Sequence, residues 1–335
     1  MRLPPGKLDF DLLARLLSQN TIRDDRVIVG PGIGRDVCAI RMGESYLVAK
    51  TDPITFASDR IGWYVVHVNA NDIATVGARP RWFLLTALLP AGATDEALVR
   101  EIWDDVRGAL DDIGCELCGG HTEVTPGLDR PVLIGQMLGE VPADRFADKR
   151  DVRPGDVILL TKGVPVEGTA IMARECADRL TDIVSESNLA RARDFLDDPG
   201  ISVVEEAMIA GDAGQVHAMH DPTEGGVATA LWELAQAADC GLRVRRDAIP
   251  ILEPGRTFCE HLGISPLGTI ASGAMLICAP ESDAARIADA VRDADIRCTR
   301  IGEVTDRSEG VVLVGPEGEE PMPRFDQDEI TRLFA

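Results

Sequence analysis

The chain has 335 residues, 45% of them hydrophobic, which is enough for two domains of common size with their own cores. Asp and Glu outnumber Lys and Arg by 56 to 34, so the formal net charge is −22 and binding to nucleic acid or anionic lipid is disfavoured. No apolar run approaches the roughly 18 residues of a membrane span, and no signal peptide is evident, so we expect a soluble cytoplasmic protein.

Eight cysteines are spread along the chain, and only Cys115 and Cys118 are close together. Their C-x-x-C spacing is typical of a redox pair or of half a zinc site, but no second C-x-x-C completes a four-thiolate site. On the short strand predicted for these residues, alternation places the two thiols on opposite sides. We therefore expect neither a redox pair nor a zinc site here, and most cysteines are expected to be small core residues.

Hydrophobic periodicity divides the first part of the chain into helices and strands. The predicted elements are a helix at 8–18, strands at 37–42 and 46–51 joined by a turn at Gly43-Glu44, a helix at 60–77, a buried strand at 80–90, a helix at 95–112, a four-residue strand at 115–118 that runs into a Gly119-Gly120 turn, and a strand at 131–141. A charged segment and Pro154-Gly155 then mark a change in composition, which predicts domains at 1–148 and 149–335.

The second part of the chain repeats this mixture of helices and strands. Its predicted elements are a strand at 157–161, helices near 168–180, 187–196 and 201–211, a strand at 215–221, a helix at 226–238, a short helix near 256–263, a strand at 274–278, a helix at 281–293, and strands around 298–304 and 310–314. Both halves therefore predict an α/β (α+β) fold class.

Four aspartates lie beside glycine loops or at strand ends. Asp36 follows the glycines of GPGIGRD, and Asp52 and Asp221 each end a predicted strand. Asp72 stands beside Asn71 on an otherwise apolar helix, where polar side chains need partners. Carboxylates in such places suit Mg²⁺, which prefers oxygen ligands and often shares them with phosphate. The alternative is that these aspartates serve as helix caps or turn residues.

Three glycine-rich segments, 30–34, 119–120 and 225–226, could offer N–H groups to a phosphate, although glycine turns are also ordinary punctuation between strands. The spacing fits neither the G-x-G-x-x-G motif nor the P-loop. A zinc site at His217 and His220 is disfavoured, because QVHAMHD predicts a strand on which the two side chains point to opposite faces. No G-x-S-x-G motif supports a hydrolase triad.

Seven segments, taken in order, resemble the AIR synthase (PurM-like) superfamily of ATP-using proteins. They are GPGIGRDVCAI, AKTDPITF, VNANDIATVGARP, CGGHTEVTPG, RPGDVILLTKGVPVEGTAIMA, DPTEGGVATALWELA and PLGTIASGAMLI. Together they cover nearly the whole chain, and NDIATVGARP and DPTEGGVATAL are the most specific of them. Within the superfamily, the sequence is most similar to the hydrogenase maturation factor HypE and HypE-related proteins.

The resemblance implies a PurM-like two-domain fold, in which an N-terminal mixed sheet forms a dimeric β-barrel-like core beside a C-terminal α/β domain. It implies a homodimer that binds ATP and Mg²⁺ and acts on a small-molecule or protein acceptor. The metal ligands it implies are Asp36, Asp52, Asp72 and Asp221. The nucleotide contacts are Gly32, Gly34, Asn71, Gly119, Gly120, Thr122, Gly225 and Gly226. The candidates for a catalytic role are Lys50, His121 and Glu123.

Two departures from HypE bear on the expected reaction. HypE carries its chemistry on a C-terminal cysteine, whereas the last cysteine here is Cys298, so HypE's own reaction is not expected. His121 stands where HypE has an acidic residue. We expect ATP-dependent activation of an amide, carboxamide or related oxygen by phosphoryl transfer. The alternatives are an AIR synthase-like synthase or kinase, and a non-catalytic nucleotide-binding partner of a maturation complex.

Overall fold

The computed structural model describes residue 8 and residues 10–32, 35–55 and 59–334, without the side chains of residues 10 and 11. The chain forms two compact units. Unit 1 contains the residues up to Ile73 together with Ala78–Phe146, and unit 2 contains Ala74–Gly77 together with the residues from Ala147 onwards. Each unit combines helices with one sheet, which confirms the predicted α/β class.

Unit 1 is built on a six-stranded sheet. Its elements are α1 (Phe10–Leu17), β1 (Val27–Val29), β2 (Cys38–Met42), β3 (Ser45–Ile54), α2 (Ile61–Ala74), β4 (Arg79–Pro90), α3 (Glu96–Ile113), β5 (Glu116–Thr125) and β6 (Val132–Pro142). The strand order is β1-β2-β3-β6-β4-β5, with β5 parallel to β4 and the other neighbours antiparallel. The helix α3 follows its N-cap Asp95, whose side chain accepts the Leu98 N–H, and is followed by its C-cap Gly114.

The two faces of the unit 1 sheet differ in burial. Phe83 and Leu85 are almost fully buried on the face that α2 covers, whereas the intervening Leu84 is only partly buried on the other face. The helix approaches closely at Gly135 of β6, where a Cβ would lie 2.5 Å from the side-chain nitrogen of Asn69 on α2. Alternation along the strands therefore gives one helix-covered face and one open face of partly buried apolar residues.

The strand β5 corrects the predicted turn at Gly119-Gly120. The strand does not stop before these glycines but runs through them to Thr125, paired with β4. Gly120 has a φ of 149°, and a Cβ on it would lie 1.9 Å from the carbonyl oxygen of Leu85. Glycine is required here because the backbone of the neighbouring strand comes too close for a side chain. In the sequence alone, a glycine needed for this reason looks the same as a glycine in a turn.

Unit 2 is built on a seven-stranded sheet with the order β13-β12-β9-β11-β7-β10-β8. Its elements are β7 (Val157–Thr161), α4 (Val166–Glu175), α5 (Ala177–Leu180), α6 (Glu186–Arg193), α7 (Val204–Ala213), β8 (Ala218–His220), α8 (Gly226–Ala238), β9 (Gly241–Arg245), α9 (Gly255–Leu262), β10 (Leu276–Ala279), α10 (Glu281–Asp293), β11 (Cys298–Thr305), β12 (Val311–Gly315) and β13 (Gly318–Pro321).

The predicted bounds of β7, α8 and α10 are confirmed to the residue. Three strands were not predicted, β1 in unit 1 and β9 and β13 in unit 2. The strand β9 follows α8 after two residues, and its buried Leu242 and Val244 alternate with more exposed arginines, which is a strand pattern that the prediction overlooked. The strand β13, Gly-Glu-Glu-Pro, has no apolar alternation and pairs with β12 as a surface hairpin. Of the two strands in unit 2, β13 therefore lacks the hydrophobic pattern that predicts a strand.

One hydrophobic core of unit 2 lies between the sheet and α8. Ile158 and Leu160 of β7 and Leu276 of β10 pack there with Leu231 of α8, and all four side chains are almost fully buried. This packing fixes α8 directly after the short strand β8, and so places the DPTEGG segment at the edge of the core. Within the described residues, no helix has the length and hydrophobicity needed to cross a membrane.

Candidate active site

The strand β3 and the helix α2 place a lysine between two aspartates in unit 1. Lys50 Nζ lies 2.8 Å from Asp72 Oδ2 and 3.4 Å from Asp52 Oδ2. Lys50 and Asp52 are two residues apart on β3, so they share the helix-covered face of the sheet. The side chains of Lys50 and Asp72 are 14% and 13% exposed, while that of Asp52 is 40% exposed. The cluster is therefore closed at Asp72 and open to solvent at Asp52.

Asn69 on α2 fixes the backbone of Asp52. Its side-chain oxygen accepts the Asp52 N–H at 2.8 Å, and its side-chain nitrogen donates to the carbonyl oxygens of Asp52 at 3.3 Å and Val65 at 2.8 Å. Asn69 is fully buried, so these bonds replace those it would make with water. Asn71, a predicted nucleotide contact, is also buried on this helix. The polar residues of α2 thus frame the cluster.

Burial and ion pairing together set the charge state of the cluster. Burial by itself would lower the pKa of Lys50, but the carboxylates of Asp72 and Asp52 raise that pKa above its ordinary value. Burial raises the pKa of Asp72, against the lowering effect of the Lys50 ammonium. Lys50 is therefore charged at neutral pH, and its charge compensates the carboxylate that α2 buries beside it.

Asp36 lies near the same cluster. Its carboxylate is close enough to raise the pKa of both Lys50 and Asp72. Gly32, in the loop before it, is partly buried, and Gly34 lies outside the described residues. The structure therefore brings together the three aspartates that the sequence singled out in unit 1.

The strand β5 places its candidate residues on two different faces of the sheet. His121 Nε2 lies 3.0 Å from Glu123 Oε2, and hydrogen bonds from Thr125 and His121 lower the pKa of Glu123. The register through β4 and β6 puts His121 and Glu123 on the open face, whereas Lys50 is on the helix-covered face. Thr122 lies on that covered face, in a small pocket beside α3. The structure thus separates His121 and Glu123 from the aspartate cluster.

In unit 2, the start of α8 is held by a carboxylate from a distant part of the chain. The strand β8 leads into Asp221, which is 5% exposed. The N–H of Gly225 donates to Asp328 Oδ2 at 2.7 Å. Gly226 packs against backbone, since a Cβ there would lie 2.6 Å from the Leu267 carbonyl oxygen. A side chain of this protein therefore binds one of the N–H groups predicted to contact a phosphate.

Sequence reasoning missed two carboxylates near this helix start. Burial raises the pKa of Glu167 to about 7, against a hydrogen bond from Ser272, and the nearby Glu224 and Asp328 add to the rise. Burial also raises the pKa of Asp328. Glu167 was visible in the sequence as the first turn of a helix, but Asp328 lies 103 positions from Gly225, so no local pattern links the two.

Each of the two neighbouring histidines of unit 2 has its own acidic partner. His217 Nδ1 lies 2.7 Å from Asp156 Oδ2, and His220 Nε2 lies 2.9 Å from Glu233 Oε2. The two carboxylates belong to different elements, so the histidine side chains do not converge on one point. This agrees with the expectation that alternation along the strand separates them.

Both units match one family of known proteins. Residues 34–141 match the N-terminal domain, and residues 153–315 the C-terminal domain, of AIR synthase related protein. The chain belongs to the AIR synthase related protein family. Among curated members, carbamoyl dehydratase HypE of Cupriavidus necator is 32% identical over 282 residues, which are 81% of this chain and 77% of the relative. A Methanocaldococcus jannaschii protein named for hydrogenase expression and formation is 28% identical over 92% of this chain and 91% of its own.

Solved structures of AIR synthase related proteins share the fold. The hydrogenase maturation protein HypE in complex with ATP has a TM-score of 0.71 and 23% identity, and the match covers 95% of this chain and 91% of that one. AaThiL complexed with AMPPCP and TMP has a TM-score of 0.72 and 19% identity, with coverage of 95% and 94%. The predicted PurM-like fold and the resemblance to HypE are confirmed.

The side chains of Lys50, Asp52 and Asp72 show whether this cluster could bind Mg²⁺. The carboxylates of Asp52 and Asp72 are the type of donor that Mg²⁺ prefers. The ammonium of Lys50, however, lies against both of them. In the described part of the chain, no three His, Cys, Asp or Glu side chains are placed to hold a metal ion together. The residues therefore do not fit a divalent ion held between Asp52 and Asp72.

Proposed function

We propose that this chain binds ATP and uses it to activate a carboxamide or related oxygen by phosphoryl transfer. Family membership across both units supports the proposal, as do the relatives named carbamoyl dehydratase and the HypE structure in complex with ATP. The main structural support for the proposal is the cluster of Lys50, Asp52 and Asp72. Its opposite charges are buried together, and Asn69 holds the backbone of Asp52, so the cluster forms a rigid polar site. Such preorganised charge is what phosphoryl transfer requires.

The chemistry follows from the named activity of the relatives. Removing water from a carbamoyl group requires its oxygen to leave, and a phosphoryl group from ATP converts that oxygen into a better leaving group. The residues of this chain would bind and orient the two reactants, with Asn69 keeping Asp52 in place and Asp72 keeping Lys50 in place. We assign no acceptor. A HypE–HypF complex, with a TM-score of 0.71 and 20% identity to this chain, makes a protein partner part of the proposal.

Binding of Mg²⁺ together with ATP is a prediction within this proposal. The cluster has three carboxylates, Asp36, Asp52 and Asp72, against the single ammonium of Lys50. A nucleotide phosphate entering such a site needs an additional positive charge, and Mg²⁺ bound to the phosphate would supply it. We propose Asp36 of unit 1 as a carboxylate for that ion. Asp221 of unit 2 stays a predicted metal ligand. Among the predicted nucleotide contacts, Asn71 is adjacent in sequence to Asp72, and Gly32 lies in the loop before Asp36.

We propose a division into an N-terminal nucleotide-binding domain at 1–148 and a C-terminal domain at 149–335, and assembly as a homodimer. The open sheet face of unit 1 supports dimer formation, because partly buried apolar side chains on that face gain from being covered by a second copy. Light scattering after size-exclusion chromatography tests this part of the proposal. A monomeric mass over the full concentration range would contradict it.

The first prediction concerns Asp72→Asn. The purified protein is incubated with Mg-ATP, alone and with an S-carbamoyl cysteine peptide, and released ADP and AMP are separated by anion-exchange chromatography. We expect turnover by the wild-type protein and a loss of roughly 10–100-fold in the variant, because removing one charge disturbs the position of Lys50. Asp129→Asn, at a carboxylate that is 93% exposed, is the matched control and should retain full activity.

Three other outcomes of this assay have clear meanings. Normal ATP binding and turnover by Asp72→Asn would remove the aspartate cluster from the proposed site. Tight ATP binding by the wild-type protein without turnover, across carboxamide, carboxylate and phosphate acceptors, would favour a nucleotide-binding partner over an enzyme. Turnover with a small-molecule phosphate acceptor alone would favour the kinase alternative.

A further inference from the structure

The Lys50 ammonium occupies the position that a bridging cation would take in the aspartate cluster. It lies 2.8 Å from one carboxylate oxygen of Asp72 and 3.4 Å from one of Asp52. The two aspartates come from different elements, α2 and β3, and the ammonium lies against both. This arrangement matches the usual role of a divalent ion, which joins carboxylates from separate elements.

Packing holds the lysine in this position. Lys50 follows the fully buried Val48 on the same face of β3, so its stem enters beneath α2. Its side chain is 14% exposed, and moving it out to solvent would leave the carboxylate of Asp72, 13% exposed, without this counter-charge. Breaking a buried ion pair by removing one partner leaves the other charge uncompensated, so displacement of the lysine by an aqueous metal ion is opposed.

We propose that Lys50 is the resident cation of the Asp52–Asp72 pair, and that this pair binds no divalent metal ion while the lysine is in place. The proposal goes beyond ATP use and rests on the geometry of the cluster alone. In the proposed function, a divalent ion that enters with a nucleotide must then be held by other oxygens.

The chain offers a matched set of variants to test the proposal. Lys50→Met keeps an unbranched side chain of similar length and removes the charge, and Lys50→Arg keeps the charge. The double variant Lys50→Met with Asp52→Asn removes one of the two carboxylates as well. Lys149→Met makes the same chemical change at the start of a 3₁₀ helix in unit 2 and serves as the control.

Mn²⁺ binding is measured by electron paramagnetic resonance of the free ion, without any nucleotide. We expect Lys50→Met to bind about one more equivalent of Mn²⁺ than the wild-type protein, and this extra ion to be absent from Lys50→Arg, Lys149→Met and the double variant. Equal Mn²⁺ stoichiometry in the wild-type protein and a folded Lys50→Met would overturn the proposal. An extra ion that persists in the double variant would overturn it as well.

A measurement on the wild-type protein covers the case in which Lys50→Met fails to fold. Lysine acetylation by acetic anhydride is quantified by mass spectrometry with and without 10 mM-scale Mg²⁺, a range well above that of weak surface sites. We expect Lys50 to be protected equally in both conditions, because the ion does not displace it. A several-fold rise in Lys50 acetylation on adding Mg²⁺ would contradict the proposal. Neither assay contains ATP, so failure of the proposed function would leave both results unchanged.

Discussion

Each unit of this protein buries a lysine beside carboxylates, and the two sites differ in what completes them. In unit 2, Lys162 Nζ lies 3.1 Å from Glu206 and donates to the carbonyl oxygens of Ser202 at 2.5 Å and Gly200 at 3.2 Å. Thr161 donates to the same Glu206 oxygen at 3.2 Å. In unit 1, the partners of Lys50 are two carboxylates, and one of them is 40% exposed.

The comparison separates a structural ion pair from a candidate site. The side chains of Lys162 and Glu206 are 7% and 1% exposed, and protein groups use the three donors of the ammonium. Nothing is left for a ligand to bind. The Lys50 cluster has more negative than positive charge and opens to solvent at Asp52, so it can respond to a ligand. Burial of a lysine therefore does not by itself indicate a functional site. An excess of carboxylates over ammonium groups, with one carboxylate accessible to solvent, does indicate one.

The largest effect is expected from breaking the closed pair of unit 2. Lys162→Met should destabilise the protein by about 3–5 kcal/mol, because Glu206 remains buried without its counter-charge. Urea unfolding followed by circular dichroism measures the loss. Adding Glu206→Gln should restore a large part of it. A loss below about 1 kcal/mol in the single variant would mean that the pair is not structural, and the comparison would fail.

A smaller effect is expected from the open cluster of unit 1. Lys50→Met should cost about 1–3 kcal/mol, because Asp72 loses its partner while Asp52 can still be hydrated. The same urea experiment, run beside Lys162→Met, gives the difference directly. Equal losses for the two variants would show that the Lys50 cluster is as closed as the Lys162 pair, and would weaken its claim to bind a ligand.

Glu167 in unit 2 provides the opposite case, a buried carboxylate whose charged neighbours are acidic. Its pKa is about 7 in the folded protein against about 4.5 when unfolded, so the folded state holds the extra proton between these values. Stability should therefore fall as pH rises from about 4.5 to about 7. Glu167→Gln should remove this part of the pH dependence and be more stable than the wild-type protein at pH 8, by roughly 2 kcal/mol.

Unfolding of both proteins at pH 5 and pH 8 tests the Glu167 prediction. Glu317→Gln, at an exposed carboxylate between β12 and β13, serves as the control and should change the difference between the two pH values much less. A pH dependence that persists unchanged in Glu167→Gln would assign it to other groups.

The smallest effect is expected at His121, one of the predicted catalytic candidates. His121→Ala should change stability by less than about 0.5 kcal/mol, because its 64% exposed side chain contributes only a surface pair with Glu123. It should also leave nucleotide turnover unchanged, since the residue lies on the face of the sheet opposite to the Lys50 cluster. A tenfold loss of turnover would place the open face in the active site and contradict this prediction.

Most of the fold was predictable, because it depends on local patterns. The elements α8 and α10 show helical periodicity with clear ends, and β7 is a short continuous apolar run between Pro154-Gly155 and Gly163. The strands β1 and β13 were not predicted, because β1 has only three residues and β13 has no apolar alternation. The strand β9 does alternate, at Leu242 and Val244, and was overlooked. The Gly119-Gly120 segment was misread, since the need for glycine arises from the backbone of Leu85 on another strand.

The sequence by itself determined the family, the mixed α/β class, and the aspartates that gather in unit 1, because motif spacing and hydrophobic period are local properties. The tertiary structure alone decided what those aspartates contact. Lys50 and Asp72 are 22 positions apart, and only the packing of α2 on β3 and β6 brings the ammonium between two carboxylates. The same packing put His121 on the other face of the sheet. Charge patterns identify the residues that matter, but distances set by packing determine which of them act together.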